Sequence, residues 1–169
     1  GKPIVVGGQP EQRGVVAAAS YPAREFGIHS AMPMSRAKRL CKELIILPHN
    51  FKSYKTYSMI VMKILEQESD LVEQISVDEA FMDVTSRISD WNEAVVIART
   101  LQNKLSANIG LSASIGVATN KMIAKIASDF EKPNGLTVVP PGEEKSFLAP
   151  LNPQKISGIG PKMAEKLAE

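Results

Sequence analysis

With 169 residues, 44% of them hydrophobic, the chain can bury a core of its own, and one domain plus part of a second is the natural expectation. A formal net charge of +2 is too small to announce a nucleic-acid partner, so such a partner has to be argued from where the lysines and arginines fall. The single cysteine, Cys41, excludes an intramolecular disulfide and reads as a small buried residue in a reducing, cytoplasmic setting, while no apolar run approaches the roughly 20 residues of a membrane span.

Gly1-Lys2-Pro3 leads straight into the apolar run Ile4-Val5-Val6 without an initiator Met, as in a piece cut from a longer chain. Residues 3–7 read as a strand, 7–14 as a loop rich in turn formers, and 15–20 as a second strand. Small side chains (Ala17, Ala18, Ala19, Ser20) dominate that strand, so a flat ligand, another backbone or a closely packed helix comes near it. Ser20 then caps a short helix with Pro22 in its first turn and Gly27 at its stop. Tyr21 and Arg24, three apart, share one side of that helix beside backbone N–H groups that attract phosphate, although from the spacing alone a buried tyrosine with a surface arginine is the favoured reading. A second short helix over 35–41 carries Arg36, Lys38 and Arg39, ordinarily a solvated face.

A strand over 44–47 precedes a helix over 53–68, where Tyr57, Ile60, Val61, Ile64 and Leu65 fall on one apolar stripe and are expected in the core. Residues 71–77 and 80–84 alternate as two strands, with Asp78 and Glu79 where one turns into the next. Ala94, Ile97, Ala98, Leu101 and Leu105 mark a helix over 92–107, and residues 111–117 alternate as a half-buried strand. Asn120 caps a helix to 130, Lys132-Pro133-Asn134-Gly135 turns, and 136–139 is a further strand. From residue 53 this order is a βαββαβ arrangement without its first strand. Past Pro140-Pro141-Gly142, a helical stretch over 143–148 leads to Gly158-Ile159-Gly160-Pro161-Lys162, a Gly-x-Gly turn that opens a helix and lets N–H groups approach a phosphate.

Successive side chains of a regular strand point to opposite faces, so Asp78 and Glu79 converge only if the backbone bends between them. Two adjacent carboxylates repel unless a cation or protons separate them, and magnesium, held by one or two carboxylates plus substrate phosphates, suits such a pair. Read from the pair alone, a solvated Asp-Glu turn is the favoured reading, since acidic residues are mostly exposed.

Ser76-Val77-Asp78-Glu79-Ala80-Phe81-Met82-Asp83-Val84 resembles the metal-binding hairpin of the Y-family, lesion-bypass DNA polymerases of the bacterial polymerase IV type. Residues 1–7, 19–27 with Tyr21-Pro22-Ala23-Arg24, 114–135 with Asn120-Lys121 and Lys132-Pro133-Asn134-Gly135, and 157–161 agree in order and spacing, so the resemblance covers essentially the whole chain. It implies an α+β fold with a ferredoxin-like palm over 51–139 whose first strand is missing. Small α/β fingers over 1–50 and the start of a helical thumb with a helix-hairpin-helix over 140–169 complete the expectation. By the same resemblance Asp78 and Glu79 are the catalytic, magnesium-binding carboxylates, two ions per active site. Tyr21, Arg24 and Lys132 grip the triphosphate of an incoming deoxynucleotide, and Val15, Val16, Ala17 and Ala18 lie over the nascent base pair. Ala18 stands where the family often has a hydroxyl residue. Gly158, Gly160 and Lys162 touch primer-template DNA, and Asp83 is structural. A sliding clamp is met through a C-terminal portion beyond this chain. The implied activity is template-directed, two-magnesium DNA synthesis across damage. The family's first palm strand, with a third carboxylate, precedes the position of Gly1, so the piece alone is expected to be inactive. A nucleotide cyclase shares the palm but needs neither the Tyr-Pro-Ala-Arg nor the Gly-Ile-Gly segment, and a non-enzymatic DNA-binding module would lack magnesium-dependent nucleotide binding.

Overall fold

In a computed structural model that describes residues 1–156 and 159–167, the first apolar run becomes β1 (Ile4–Gly7), the centre of a three-stranded sheet in the order β2-β1-β3. β2 (Val16–Ala19) runs antiparallel to it, with Val5 opposite Ala19 and Val6 opposite Ala18, and β3 (Ile45–Leu47) runs parallel, with Val5 opposite Ile46. The sheet belongs to the first of two units, Gly1–Tyr54 and Lys55–Glu169, into which the chain divides. Ser20 ties the start of the sheet to the start of α1 (Tyr21–Glu25), because its hydroxyl accepts from the N–H groups of Ile4 (2.9 Å) and Ala23 (3.3 Å). Gly27, at φ +74°, ends that helix in the left-handed region. Val5, Val16, Ala23, Ile28, Met32, Met34, Ala37, Cys41 and Leu44 form the core, which α2 (Met34–Leu40) enters through Met34 and Ala37. Cys41 is therefore a packing residue. Ala17 and Ala18 are exposed, so within this unit no helix covers these two small side chains, while Ala19 packs against the core.

The unit boundary falls within α3 (Phe51–Glu68). Beyond it come β4 (Leu71–Gln74), β5 (Ala80–Asp83), α4 (Trp91–Ile109), β6 (Ile115–Val117), α5 (Lys121–Phe130) and β7 (Leu136–Val138). After these stand α6 (Glu144–Leu148) and α7 (Pro161–Leu167). The α+β order expected from the periodicities is present. β4 and β5 pair antiparallel, Val72 opposite Met82, while β6 and β7 pair parallel, Gly116 opposite Thr137. Among the described residues these two ladders share no strand pairing. They do share a core: Ile64 of α3 and Leu101 and Leu105 of α4 are buried against Met82 of β5 and Ile115 of β6. Asp90 caps α4 through the N–H groups of Asn92 and Glu93, and Gly110, at φ +66°, closes it.

Three expectations need correction. Tyr57 and Ile60 are 45% and 36% exposed, because the buried line of α3 runs through Ser58, Met62 and Ile64, with Val61 and Leu65 beside it. The strand expected over 71–77 stops at Gln74, where the chain bends to form the hairpin tip. The strand expected over 111–117 shortens to Ile115–Val117, since side chains take up the polar groups before it: the Ala113 carbonyl accepts from Gln102, and the Ser114 hydroxyl accepts from the N–H of Gly135. Of the Gly-x-Gly turn, Gly158 lies outside the described residues, while the Gly160 carbonyl accepts from Met163 and Ala164 at the start of α7.

α5 lies so close to β6 that a Cβ built on Gly116 would sit 2.1 Å from the Ala124 carbonyl oxygen and 2.6 Å from the Ser128 nitrogen. Gly116→Ala should therefore push helix from strand and lower the unfolding free energy by about 1–3 kcal/mol, the usual range for overpacking. Urea denaturation followed by circular dichroism checks this, and an unchanged midpoint would contradict the packing described.

Candidate active site

The hairpin tip is closed by its own backbone. Ile75 and Ser76 both donate N–H to the Glu79 carbonyl, at 2.9 and 3.2 Å, so residues 75–79 fold over between β4 and β5. Asp-Glu is not a favoured turn pair, and the side chain that makes this turn is Ser76. Its hydroxyl accepts from the Asp78 N–H (3.3 Å) and donates to Asp78 Oδ1 (2.8 Å), a local side-chain turn of the kind serine supports. Asp78 is exposed. Glu79 is half-buried, and its Oε1 accepts from Lys125 Nζ at 2.6 Å. The bend that two neighbouring carboxylates require is thus present, and each has a different partner.

Lys125 comes from α5, which buries Ile123, Ile126 and Ala127. Asn120 caps this helix by accepting from the Ile123 N–H at 3.0 Å. With 3.6 residues per turn, Lys121, Lys125 and Asp129 rise along one side of α5. Lys121 Nζ lies 2.7 Å from Glu73 Oε2 and 5.8 Å from the centroid of the Phe81 ring, so the helix grips both strands of the hairpin. Lys125 also meets Asp129 Oδ2 at 3.2 Å, and Asp129 Oδ1 meets Lys132 Nζ at 2.5 Å. A continuous row of alternating charge, Glu79–Lys125–Asp129–Lys132, therefore joins the hairpin tip to the turn at 132–135. Partial burial disfavours the charge on both Lys125 and Asp129, but their hydrogen bonds and mutual attraction outweigh it. Lys125 is raised above the ordinary lysine range, and Asp129, facing Lys132 and Lys125, is held below the ordinary carboxylate range.

Of the other expected residues, Tyr21 and Arg24 sit together in the first unit, the guanidinium carbon 5.6 Å from the centroid of the tyrosine ring. Arg24 is exposed, and its Nε donates to the Ala19 carbonyl at 3.1 Å, which anchors the side chain. Val15, Ala17 and Ala18 are exposed along the same strand, whereas Val16 is buried and takes no part in that surface. Gly160 and Lys162 are exposed at the start of α7. The structure brings Asp78, Glu79 and Lys132 into one unit and Tyr21, Arg24 and the β2 surface into the other. Among the described residues no three His, Cys, Asp or Glu side chains gather as a metal cluster, so the hairpin offers two carboxylates. Asp83 is a different kind of acid. Thr85 hydrogen bonds hold it below the ordinary carboxylate range, its Oδ1 accepting from the Thr85 N–H at 2.9 Å.

Ser76, Lys125 and Asp129 are the side chains of this arrangement to which pattern reading gave no role. The i, i+4 repeat on α5 marks a charged face, but nothing local to residue 125 points to a partner 46 positions earlier.

A profile of the impB/mucB/samB family matches residues 1–129. The chain is 46% identical over 167 residues to a DNA polymerase IV of Listeria monocytogenes, covering 99% of this chain and 47% of that protein. It is 47% identical over 166 residues to a DNA polymerase IV of Dehalococcoides mccartyi, covering 98% of this chain and 43% of that one. Among solved structures, DinB from Sulfolobus solfataricus superimposes with a TM-score of 0.94 at 35% identity, over 99% of this chain and half of that one. An insertion ternary complex of Dbh DNA polymerase superimposes with a TM-score of 0.93 at 34% identity, over 99% of this chain and 50% of that one. The chain spans about half the length of the relatives it matches.

An aspartate whose folded pKa is depressed stabilises the fold above its unfolded value, near about 4, and loses that contribution as pH falls through the lower folded value. Asp129→Asn should therefore lower the melting temperature at pH 7, and the gap from the parent protein should close as pH falls below about 4. Thermal unfolding of both proteins across that range checks the sign; a gap that widens in acid would contradict the pairing.

Proposed function

Because the chain belongs to the impB/mucB/samB family, we propose that it carries the nucleotide- and metal-holding parts of a Y-family translesion DNA polymerase. Residues 1–50 serve as fingers, 51–139 as palm and 140–169 as the start of the thumb. The observation that carries the reading is the bent hairpin tip, which presents Asp78 to solvent while Glu79 already holds a cation, the Lys125 ammonium, at 2.6 Å.

That donor set fits a hard divalent ion. Two carboxylates at a solvent-facing turn, without sulfur or imidazole, suit magnesium, which takes oxygen ligands and completes its shell with water and substrate phosphates. When bound, such ions lower the pKa of the attacking primer hydroxyl and stabilise the leaving pyrophosphate. Asp78 and Glu79 hold the ions, two in the complete site, and Ser76 keeps the Asp78 carboxylate aimed by its hydrogen bond. Arg24, anchored through Nε on Ala19, offers its remaining N–H groups to a phosphate, and Tyr21, stacked beside it, offers a hydroxyl. Lys132 exchanges Asp129 for a phosphate oxygen at little cost, since a partly exposed ion pair contributes only about 0–1 kcal/mol and Asp129 keeps Lys125. These cations balance charge that grows on the phosphates as the bond to the leaving group breaks.

The substrates on this reading are deoxynucleoside triphosphates and primer-template DNA. Val15, Ala17 and Ala18 form the small-sided surface over the nascent pair, roomy enough for a damaged template base, and Gly158, Gly160 and Lys162 meet the DNA backbone. Contact with a sliding clamp belongs to a region outside this chain. No helix among the described residues is long and apolar enough to cross a membrane.

The test is primer extension by the full-length protein. Asp78→Asn should cut the rate of nucleotide addition by about a hundredfold or more, as expected when a reacting group is misplaced by about 1 Å, while DNA affinity stays close to that of the parent. Arg24→Ala should weaken nucleotide binding by about tenfold, against a negligible effect of Lys42→Ala, because a bidentate guanidinium–phosphate contact exceeds a screened surface charge. Undiminished extension by the Asp78 variant would end the reading.

A further inference from the structure

Gln102 is a polar residue buried on the apolar side of α4, 7% exposed in a row with Ala98, Leu101 and Leu105. A buried amide without partners is costly, and this one spends its donors away from its own helix. Nε2 lies 2.9 Å from the Ala113 carbonyl oxygen, 2.9 Å from that of Gly135 and 3.3 Å from that of Asn134. One NH2 group therefore gathers the carbonyls of two separate segments, the entry to β6 and the turn after α5. Gly135 has a second donor, the Ile115 N–H at 3.0 Å, whereas Gln102 is the donor described for Ala113 and Asn134. The far side of the turn is equally confined, because a Cβ on Gly135 would fall 2.2 Å from the Glu131 carbonyl oxygen. The turn is thus clamped between the end of α5 and the Gln102 amide, and Lys132 sits at its head, two residues before Asn134.

We propose that Gln102 is a positioning residue for nucleotide binding: its amide fixes the turn at 132–135 and thereby the point from which Lys132 reaches the triphosphate. The inference rests on the reading of Lys132 as a phosphate ligand. Gln102 touches no substrate itself. It acts through backbone carbonyls, and a packing role alone would make no link between its amide and Lys132.

The test is a double-mutant cycle in the full-length protein bound to primer-template DNA, with Gln102→Met, which keeps the length and loses the donor, and Lys132→Met. Titration of a deoxynucleoside triphosphate gives Kd, and single-turnover extension gives the rate at saturation. Lys132→Met should raise Kd by about tenfold, the scale of one lost charge-assisted contact. Gln102→Met should raise it by about three- to tenfold, with the loss falling on Kd more than on the saturated rate. In the Lys132→Met background the Gln102 effect should nearly vanish, since coupled residues are not additive. If Gln102→Met fails to fold, Gln102→Asn, which keeps the donor on a shorter arm, enters the same cycle with a smaller rise and the same coupling. A Lys132→Met protein with unchanged Kd would overturn the phosphate-ligand reading and this inference with it. A Lys132 effect accompanied by an additive Gln102 effect, or by none, would overturn this inference alone and leave the reading of the site standing.

Discussion

The second unit depends on how α5 meets the β4–β5 hairpin. Its two ladders have no strand pairing between them among the described residues, so the hydrogen bonds that normally unite a sheet do not hold them together. Two other things do. Met82 and Ile115, one from each ladder, are covered by the same α3 and α4 side chains, which is a non-directional attraction. The lysines of α5 supply direction: Lys121 on Glu73 and Lys125 on Glu79 fix which part of the helix faces which part of the hairpin. Such pairs contribute little to stability when exposed, but they set register, and the register places Glu79. The same contact therefore orders both the unit and its candidate site.

Much of the fold was legible because the signals are local. Ser20 and Asn120 each precede their helices with a side-chain oxygen on a free N–H and Gly27 ends α1 at positive φ, so those ends were located from sequence. By contrast α4, expected over 92–107 from its apolar stripe alone, runs Trp91–Ile109 between the Asp90 cap and Gly110. Where the reading failed, a side chain from elsewhere intervened. Residues 111–114 alternate like a strand, yet the Ala113 carbonyl goes to Gln102 instead of to a neighbouring strand. Val61, Ile64 and Leu65 of the expected 3.6-residue stripe do pack into the core, but the helix also turns Ser58 and Met62 inward and leaves Tyr57 and Ile60 partly exposed. Periodicity shows that a helix has an apolar side; which rows of it are covered depends on the elements packed there.

The site divides in the same way. Asp78 and Glu79 were conspicuous as an adjacent pair at a strand junction, and the expected need for a bend is met by Ser76, whose role is a contact over two residues. The charge row that links Glu79 to Lys132 is long-range at its first step and local at its last two, so only the pairs within and just after α5 had any trace in spacing. On the proposed reading of Glu79 and Lys132, the row keeps opposite charges alternating between the carboxylate that would hold a cation and the ammonium that would meet a phosphate. A cation arriving at Glu79 competes with Lys125, and a phosphate arriving at Lys132 competes with Asp129. Both partners displaced from these contacts still face each other across 3.2 Å, so neither is left alone in a partly buried place.

Three acids, Asp78, Glu79 and Asp83, lie within six residues on this hairpin, and their partners differ in kind. Asp83 pairs with Leu71 across the ladder, its carbonyl accepts from the Ser69 hydroxyl, and its carboxylate accepts from the Thr85 N–H. The Asp83 side chain thus turns to the residue that follows the strand and closes its end. Asp78 is bound by a serine hydroxyl that can rotate to another acceptor, and Glu79 by a lysine that has Asp129 as an alternative. Each of these two can therefore give up its present contact and leave its protein partner with another, which is what the proposed metal-holding role asks of a carboxylate.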